Sequence, residues 1–167
     1  MAPIGGSQLQ WVMIGLITGA EVFGHLPRAA GGRFADYLNS DFGSVLPVGR
    51  ASTEDVEGGK ETPELLVWLR HVTYVQPWAG IELGEIGTVS AKGAIPVELV
   101  LRTRININGI TRLTSGVELR DWLTRPGDQF VGLGQAVLST PTGQKRPADG
   151  VLLNKEHIML ARRIITT

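Results

Sequence analysis

The 167-residue chain contains no cysteine. It therefore cannot form disulfides, use a thiolate nucleophile or bind zinc through sulfur ligands. Long hydrophobic runs are also missing, since none approaches the roughly 18 apolar residues of a membrane-spanning helix. The apolar stretch from Trp11 to Leu26 carries Glu21 and His25 and has no basic leader, so we interpret it as part of the fold rather than as a targeting signal. We expect a cytoplasmic protein without a membrane span.

Catalytic patterns are scarce. The chain has three histidines and lacks a Gly-x-Ser-x-Gly element. Its Gly132-Leu133-Gly134 stretch lies in a predicted strand without the following helix that a phosphate site needs. His71 and His157 each precede a β-branched residue, which favours turn or strand-edge histidines bonded to the backbone over metal ligands. We therefore predict no enzyme activity, no cofactor and no metal.

The formal net charge is zero, but the charge is unevenly distributed. Up to Gly84 there are five basic and nine acidic residues, whereas from Glu85 onward there are eleven basic and seven acidic ones. Opposite signs favour contact between the acidic and the basic part, within one chain or between chains, and head-to-tail contacts build rings or filaments. The alternative is that the charges lie scattered on solvated faces.

The chain contains an internal repeat at an offset of about 85 residues. Arg33-Phe34-Ala35-Asp36-Tyr37-Leu38-Asn39 matches Glu118-Leu119-Arg120-Asp121-Trp122-Leu123-Thr124 in its acid, aromatic and leucine. Between 14 and 51 the offset gives eight identities in 38 pairs, and after one inserted residue 65–72 matches 151–158. The identical pairs are Leu16/Leu101, Thr18/Thr103, Gly24/Gly109, Gly31/Gly116, Asp36/Asp121, Leu38/Leu123, Gly49/Gly134 and Ala51/Ala136. We interpret the repeat as a tandem duplication.

Each repeat begins with a predicted pair of strands. In the second repeat the intervening turn falls either at Thr103-Arg104 or at Asn108-Gly109, a dipeptide typical of type I′ turns. The equivalent of Asn108-Gly109 in the first repeat is Phe23-Gly24, which does not resemble a turn. We therefore favour the earlier turn, with both glycines inside strands at a bulge or close contact.

The matching segments predict one or two helical turns in each repeat, with the apolar members on one face toward the core. We regard Asp36, Tyr37, Leu38, Asp121, Trp122 and Leu123 as structural anchors of the repeats. The two aspartates are expected to accept local backbone hydrogen bonds or pair with an arginine. The alternative is a pair of carboxylates in a ligand-binding cleft between the repeats.

The predicted architecture is mainly β with short helices, a class that the 22 glycines and 9 prolines favour because they imply many turns. We expect two repeated barrel-like or sandwich-like units packed as a pseudo-twofold pair. The first unit spans 1–78, an ordered Gly-rich linker spans 79–96, and the second unit spans 97–167.

The glycine-containing hairpin, followed later by Val151-Leu152-Leu153-Asn154-Lys155-Glu156-His157-Ile158, resembles Sm-like small barrels in outline. The repeat has a helical segment where Sm proteins carry strands, and it lacks the Sm-type Asp/Asn-Gly-Arg RNA-binding pattern. The element Asp36-Tyr37-Leu38-Asn39 also resembles a short, uncharacterised bacterial domain. The resemblances imply a fold and no activity.

We predict that the protein acts through protein contacts, as a scaffold, an accessory subunit or a self-assembling piece. Tryptophans without an aromatic counterpart in the other repeat are candidate interface anchors, and the alternative is that they cover the other repeat within the chain. The alternative is nucleic-acid binding by the basic second repeat, where Arg102 and Arg104 at period two would share a sheet face, although few aromatic residues are available for stacking. The candidate interface residues are Trp11, Trp68, Trp78, Arg102 and Arg104.

Overall fold

The computed structural model describes residues 8–28, 34–39, 44–53, 61–78, 93–113 and 116–165. The predicted linker at 79–96 lies outside these ranges for residues 79–92. We refer to residues 8–78 as the first half and to residues 93–165 as the second half. No helix in the described ranges is long and apolar enough to cross a membrane.

The described residues of each half form five strands, one short helix and a 3-10 turn. The first half contains β1 Gln8–Leu16, β2 Glu21–Arg28, α1 Phe34–Asn39, β3 Val45–Thr53, β4 Thr62–Trp68, the 3-10 turn Leu69–His71 and β5 Val72–Pro77. The second half contains β6 Ala94–Leu101, β7 Asn106–Arg112, α2 Leu119–Thr124, β8 Phe130–Ser139, β9 Lys145–Asn154, the 3-10 turn Lys155–His157 and β10 Ile158–Arg163. The prediction of a mainly β protein with short helices is confirmed.

All ten strands form one open antiparallel sheet. Its order is β10-β6-β7-β8-β9-β5-β1-β2-β3-β4, so each half contributes five consecutive strands in the same internal order. The halves join through β5 and β9, which are not equivalent in that order. A twofold axis would pair equivalent strands. The predicted pseudo-twofold packing is therefore not confirmed, and along the sheet the halves follow one another head to tail.

The turn in the second half lies between β6 and β7, where Arg104 donates its backbone N–H to the carbonyl of Leu101. Arg104 has a positive φ of 64°, as Gly19 has a φ of 88° in the first-half turn. Asn108-Gly109 lies inside β7, and the sheet register shifts there and again around Gly24. The preference for the earlier turn is confirmed.

Close contact with β3 explains the glycine in β2. A Cβ at Gly24 would lie 2.5 Å from Val48 Cγ1 and 2.8 Å from the carbonyl oxygen of Gly49. At Gly109 it would lie 3.0 Å from Leu133 Cβ. Any side chain at these positions would push the neighbouring strand away.

Matched backbone hydrogen bonds also occur in the two halves outside the regular strand pairing. Three pairs of such bonds, given from N–H to carbonyl, are Leu16 to Ala20 and Leu101 to Ile105, Leu69 to Ser44 and Lys155 to Gln129, and Trp78 to Trp11 and Ile164 to Pro96. Corresponding donors and acceptors are separated by 85 or 86 residues. The chain thus takes the same path around its turns in both halves.

The buried side chains form two hydrophobic clusters. The first cluster is centred on the first half and includes Val75 and Leu152, whereas the second is centred on the second half and includes Tyr74 and Leu153. Consecutive residues of a strand point to opposite faces. The clusters therefore lie on opposite faces of the sheet where β5 meets β9, and both strands contribute to both.

Candidate functional site

The joint between the halves is a short antiparallel pairing. Tyr74 lies opposite Leu153 and Val75 opposite Leu152. Next to it the first-half 3-10 turn presents carbonyl groups to the second half. Asn154 is fully buried, and its Nδ2 donates to the carbonyl oxygens of Leu69 at 3.2 Å and Val72 at 2.9 Å. The Leu69 carbonyl also accepts from the backbone N–H of Val72, so the amide is its second donor, and it gives the Val72 carbonyl a donor from the other half.

Two further side chains bond to backbone across the joint. The buried His157 lies with its Nε2 2.6 Å from the carbonyl oxygen of Arg70. Asn39 of α1 accepts from the backbone N–H of Phe130 in β8 at 2.8 Å and donates to the same residue's carbonyl at 3.1 Å. The expectation that His157 bonds to the backbone is confirmed.

A polar cluster also links the halves. The Tyr74 hydroxyl donates to Glu21 Oε1 at 2.5 Å, and Arg146 donates to the same oxygen at 3.0 Å and to the Tyr74 hydroxyl at 2.8 Å. Burial, followed by the hydrogen bond to Glu21, raises the pKa of Tyr74 well above its ordinary value. Tyr74 therefore stays protonated and acts as a donor at neutral pH.

The outer strands β4 and β10 form the two open edges of the sheet, because within the described ranges each pairs with one strand only. The β4 edge carries Leu66 and Trp68, which are exposed. The β10 edge and the residues directly after it carry further exposed apolar side chains, namely Met159, Leu160, Ile164 and Ile165. Both edges therefore combine free backbone groups with apolar surface.

The predicted tryptophan anchors fall into two places. Trp11 and Trp78 lie near each other at neighbouring strands, where the backbone N–H of Trp78 donates to the carbonyl of Trp11 at 2.8 Å. Trp11 also contacts the ring of His25 at 4.6 Å between centroids, and Arg50 lies 5.8 Å above the Trp11 ring. Trp68 lies apart from them, at the end of β4 on the open edge.

Arg102 and Arg104 do not share a strand face. Both lie in the turn after β6 ends at Leu101, and both are exposed. Alternation of side chains across a sheet applies only where the backbone is extended. The prediction that these arginines line one sheet face is therefore wrong.

The anchor residues pack against the cores to different extents. Leu38 is buried in the first cluster and Tyr37 packs against it, while Trp122 and Leu123 pack against the second cluster. A cleft of about 210 Å³ between the halves is lined by Asp36, Asn39, Trp122 and Asp128 among others, but not by Asp121, which is exposed. The two aspartates are thus not brought together in this cleft.

A larger cleft of about 630 Å³ lies beside the joint, with Gln76, Trp78, Gln135 and Arg146 in its wall. Nowhere in the described ranges do three or more His, Asp or Glu side chains converge as metal ligands would. Of the polar side chains in the walls of these clefts, Arg146 and Asn39 form hydrogen bonds between the halves.

Sequence reasoning missed most of the residues that form the joint. Asn154 was distinguished only as the counterpart of Trp68, and Tyr74 and Asn39 were not expected to link the halves. A buried asparagine or tyrosine among apolar residues is one usable signal, since such groups need partners.

No protein-family model, curated protein or solved structure matches this chain.

Proposed function

We propose that the chain is a structural protein without enzyme activity that acts through protein contacts at the two open edges of its sheet. It would serve as a self-assembling piece or as a subunit of a larger complex. The observation that carries the proposal is the position of the exposed apolar side chains. Of the ten large hydrophobic residues that are exposed in the described ranges, six lie on β4, on β10 or directly after β10.

Open edges of this kind are usually protected. An unpaired strand offers N–H and C=O groups to any other strand, so proteins place charges, bulges or prolines along exposed edges. The β4 edge has Pro63 and Glu64 near its start but presents Leu66 and Trp68 after them, and the β10 edge presents Met159 and Leu160 before its two exposed arginines. Recognition by strand addition uses this combination of free backbone and alternating apolar side chains.

The proposal includes a tandem duplication of one five-stranded unit. Its support is the common strand order, the register shifts at Gly24 and Gly109 and the matched hydrogen bonds of the turns. Barrel-like curvature of each unit and the similarity to Sm-like barrels remain predictions. Duplication would account for a sheet in which two outer strands, β5 and β9, meet at one internal joint and their counterparts, β10 and β4, form the two open edges.

The test is the mass of the protein in solution over a range of concentrations, measured by light scattering. We expect the wild type to exceed the mass of one chain, and Leu66→Lys or Leu160→Lys to reduce it to that of a single chain. Leu9→Lys is the matched control, because Leu9 is an exposed leucine on the internal strand β1. A wild type that stays monomeric at high concentration and binds no partner through these edges would overturn the proposal.

A further inference from the structure

The internal joint provides a template for the contact that the open edges would make. At the joint, β9 of the second half lies against β5 of the first half. Leu152 of β9 packs into the first cluster and Tyr74 of β5 packs into the second. Each strand therefore inserts one side chain into the core of the other half.

The open edges carry the counterparts of these strands. By its place in the strand order, β4 corresponds to β9, and β10 corresponds to β5. Residues at corresponding positions of these strands are 86 residues apart in the chain, and they are buried at the joint but exposed at the open edges. Leu152 is 2% exposed and Leu66 52%, while Tyr74 is 0% exposed and Leu160 48%.

The residues after the paired segment behave in the same way. Asn154 is 0% exposed at the joint, whereas its counterpart Trp68 is 45% exposed. His157 is buried against a backbone carbonyl, whereas its counterpart His71 is exposed. The side chains exposed at the open edges are thus those that would be covered by a second joint.

We infer that the partner is a second copy of this chain, with β4 of one copy paired antiparallel to β10 of the next. This inference rests on the proposed function. The register of the internal joint, transferred by 86 residues, places Leu66 opposite Ala161 and Val67 opposite Leu160. Leu66 enters the second cluster of the neighbouring copy, beside Ala161, and Leu160 enters the first cluster, beside Val67.

The same register matches the flanking residues. Continued along the strands, it places Trp68 opposite Met159, so that two exposed apolar side chains meet. In the other direction it places Glu64 opposite Arg163, both of which are exposed. Opposite charges and large apolar pairs directly across two strands are stabilising. Because the contact joins non-equivalent edges, it repeats from copy to copy into a ring or a filament.

Disulfide trapping tests the register directly, because the chain has no cysteine of its own. Leu66→Cys and Ala161→Cys are prepared separately, mixed and mildly oxidised. We expect a disulfide-linked heterodimer on a non-reducing gel. The matched control replaces Ala161→Cys with Arg163→Cys, two residues along the same face of β10. The pair of Leu66→Cys with Arg163→Cys is expected to give several-fold less disulfide-linked heterodimer than the pair of Leu66→Cys with Ala161→Cys.

Three outcomes would overturn the inference. They are equal trapping by the Arg163→Cys control, dominant Leu66→Cys homodimers, and no trapping in a protein that assembles. If no trapping occurs but Leu66→Lys still abolishes assembly, the proposed contact at the open edges is retained, whereas the β4–β10 register and the second copy as partner are rejected. A wild type that never assembles would instead remove the proposed function itself.

A charge exchange provides a second test that does not depend on cysteine chemistry. Glu64→Arg and Arg163→Glu are each expected to weaken assembly several-fold, because each places like charges across the contact. An equimolar mixture of the two variants restores opposite charges at every β4–β10 contact, and we expect it to assemble as the wild type does. Failure of the mixture to recover, with both variants folded, would contradict the register.

Discussion

The internal joint and the open edges contain corresponding strands in two different surroundings. At the joint, Asn154 bonds to the carbonyls of Leu69 in the 3-10 turn and Val72 at the start of β5, and Leu152 enters a core that belongs mainly to the other half. On the open β4 edge, the corresponding residues Trp68 and Leu66 extend into solvent. The neighbour of a strand, more than the strand itself, therefore determines which side chain is stable at each position.

The largest effect is expected from shortening the leucine at the joint. Leu152→Ala removes a buried side chain from the first cluster and should lower the free energy of unfolding by about 3 kcal/mol. Leu66→Ala, at the corresponding position of β4, should change it by less than about 0.5 kcal/mol at concentrations where the chain is monomeric. Urea unfolding followed by tryptophan fluorescence measures both changes in free energy. Equal losses for Leu152→Ala and Leu66→Ala would contradict the conclusion that the two leucines lie in different surroundings.

A smaller loss is expected from removing the amide that bonds across the joint. Asn154→Ala removes the donor from the other half to the Val72 carbonyl and one of the two donors to the Leu69 carbonyl, which should cost about 2 kcal/mol of unfolding free energy. Asn154→Asp has nearly the same shape but no N–H donor, so it should be at least as destabilising.

The control for this substitution is Asn108→Ala, which removes a half-buried side chain whose Nδ2 donates to Asn106 Oδ1 over a long distance of 3.4 Å. We expect it to change stability by less than about 0.5 kcal/mol. If Asn154→Asp retains full stability in the same unfolding experiment, the bonds from Nδ2 do not hold the joint together.

The sequence was sufficient to predict the features that local chemistry and the repeat determine. Strand alternation predicted β6 and β7, and comparison with Phe23-Gly24 identified the turn correctly although Asn108-Gly109 is the more typical turn dipeptide. Alternation failed at Arg102 and Arg104, because it assumes an extended backbone and the strand ends one residue earlier. A periodic pattern does not mark where a strand ends.

The arrangement of the halves could not be predicted, because it depends on pairing between distant strands. No local pattern distinguishes β9 pairing with β5 from a twofold arrangement of equivalent strands. The difference between Asn154 and Trp68 was visible in the sequence, but its meaning depends on the carbonyls of Leu69 and Val72 lying beside Asn154. Those carbonyls belong to residues more than 80 positions away in the chain.

The smallest effect at neutral pH is expected from the polar cluster that links β2, β5 and β9. Tyr74→Phe removes the donor to Glu21 but leaves the Glu21–Arg146 ion pair, so it should cost about 1 kcal/mol. Leu160, the counterpart of Tyr74 on the open edge, has no hydroxyl group to form such a cluster.

The pH dependence of the unfolding free energy distinguishes the contribution of the Tyr74 hydroxyl from that of the packing of its ring. Burial raises the pKa of Tyr74, so the folded protein keeps this proton after an unfolded tyrosine has released it at about pH 10. The stabilisation is therefore complete below about pH 10 and is lost as the pH rises further. Burial also raises the pKa of Tyr37. The wild type and Tyr74→Phe both contain Tyr37, so it contributes equally to the pH dependence of the two. We therefore expect urea unfolding from pH 8 to pH 11 to show a steeper loss of unfolding free energy with rising pH for the wild type than for Tyr74→Phe. Parallel curves would mean that the surroundings at the joint do not hold the Tyr74 hydroxyl in its protonated form.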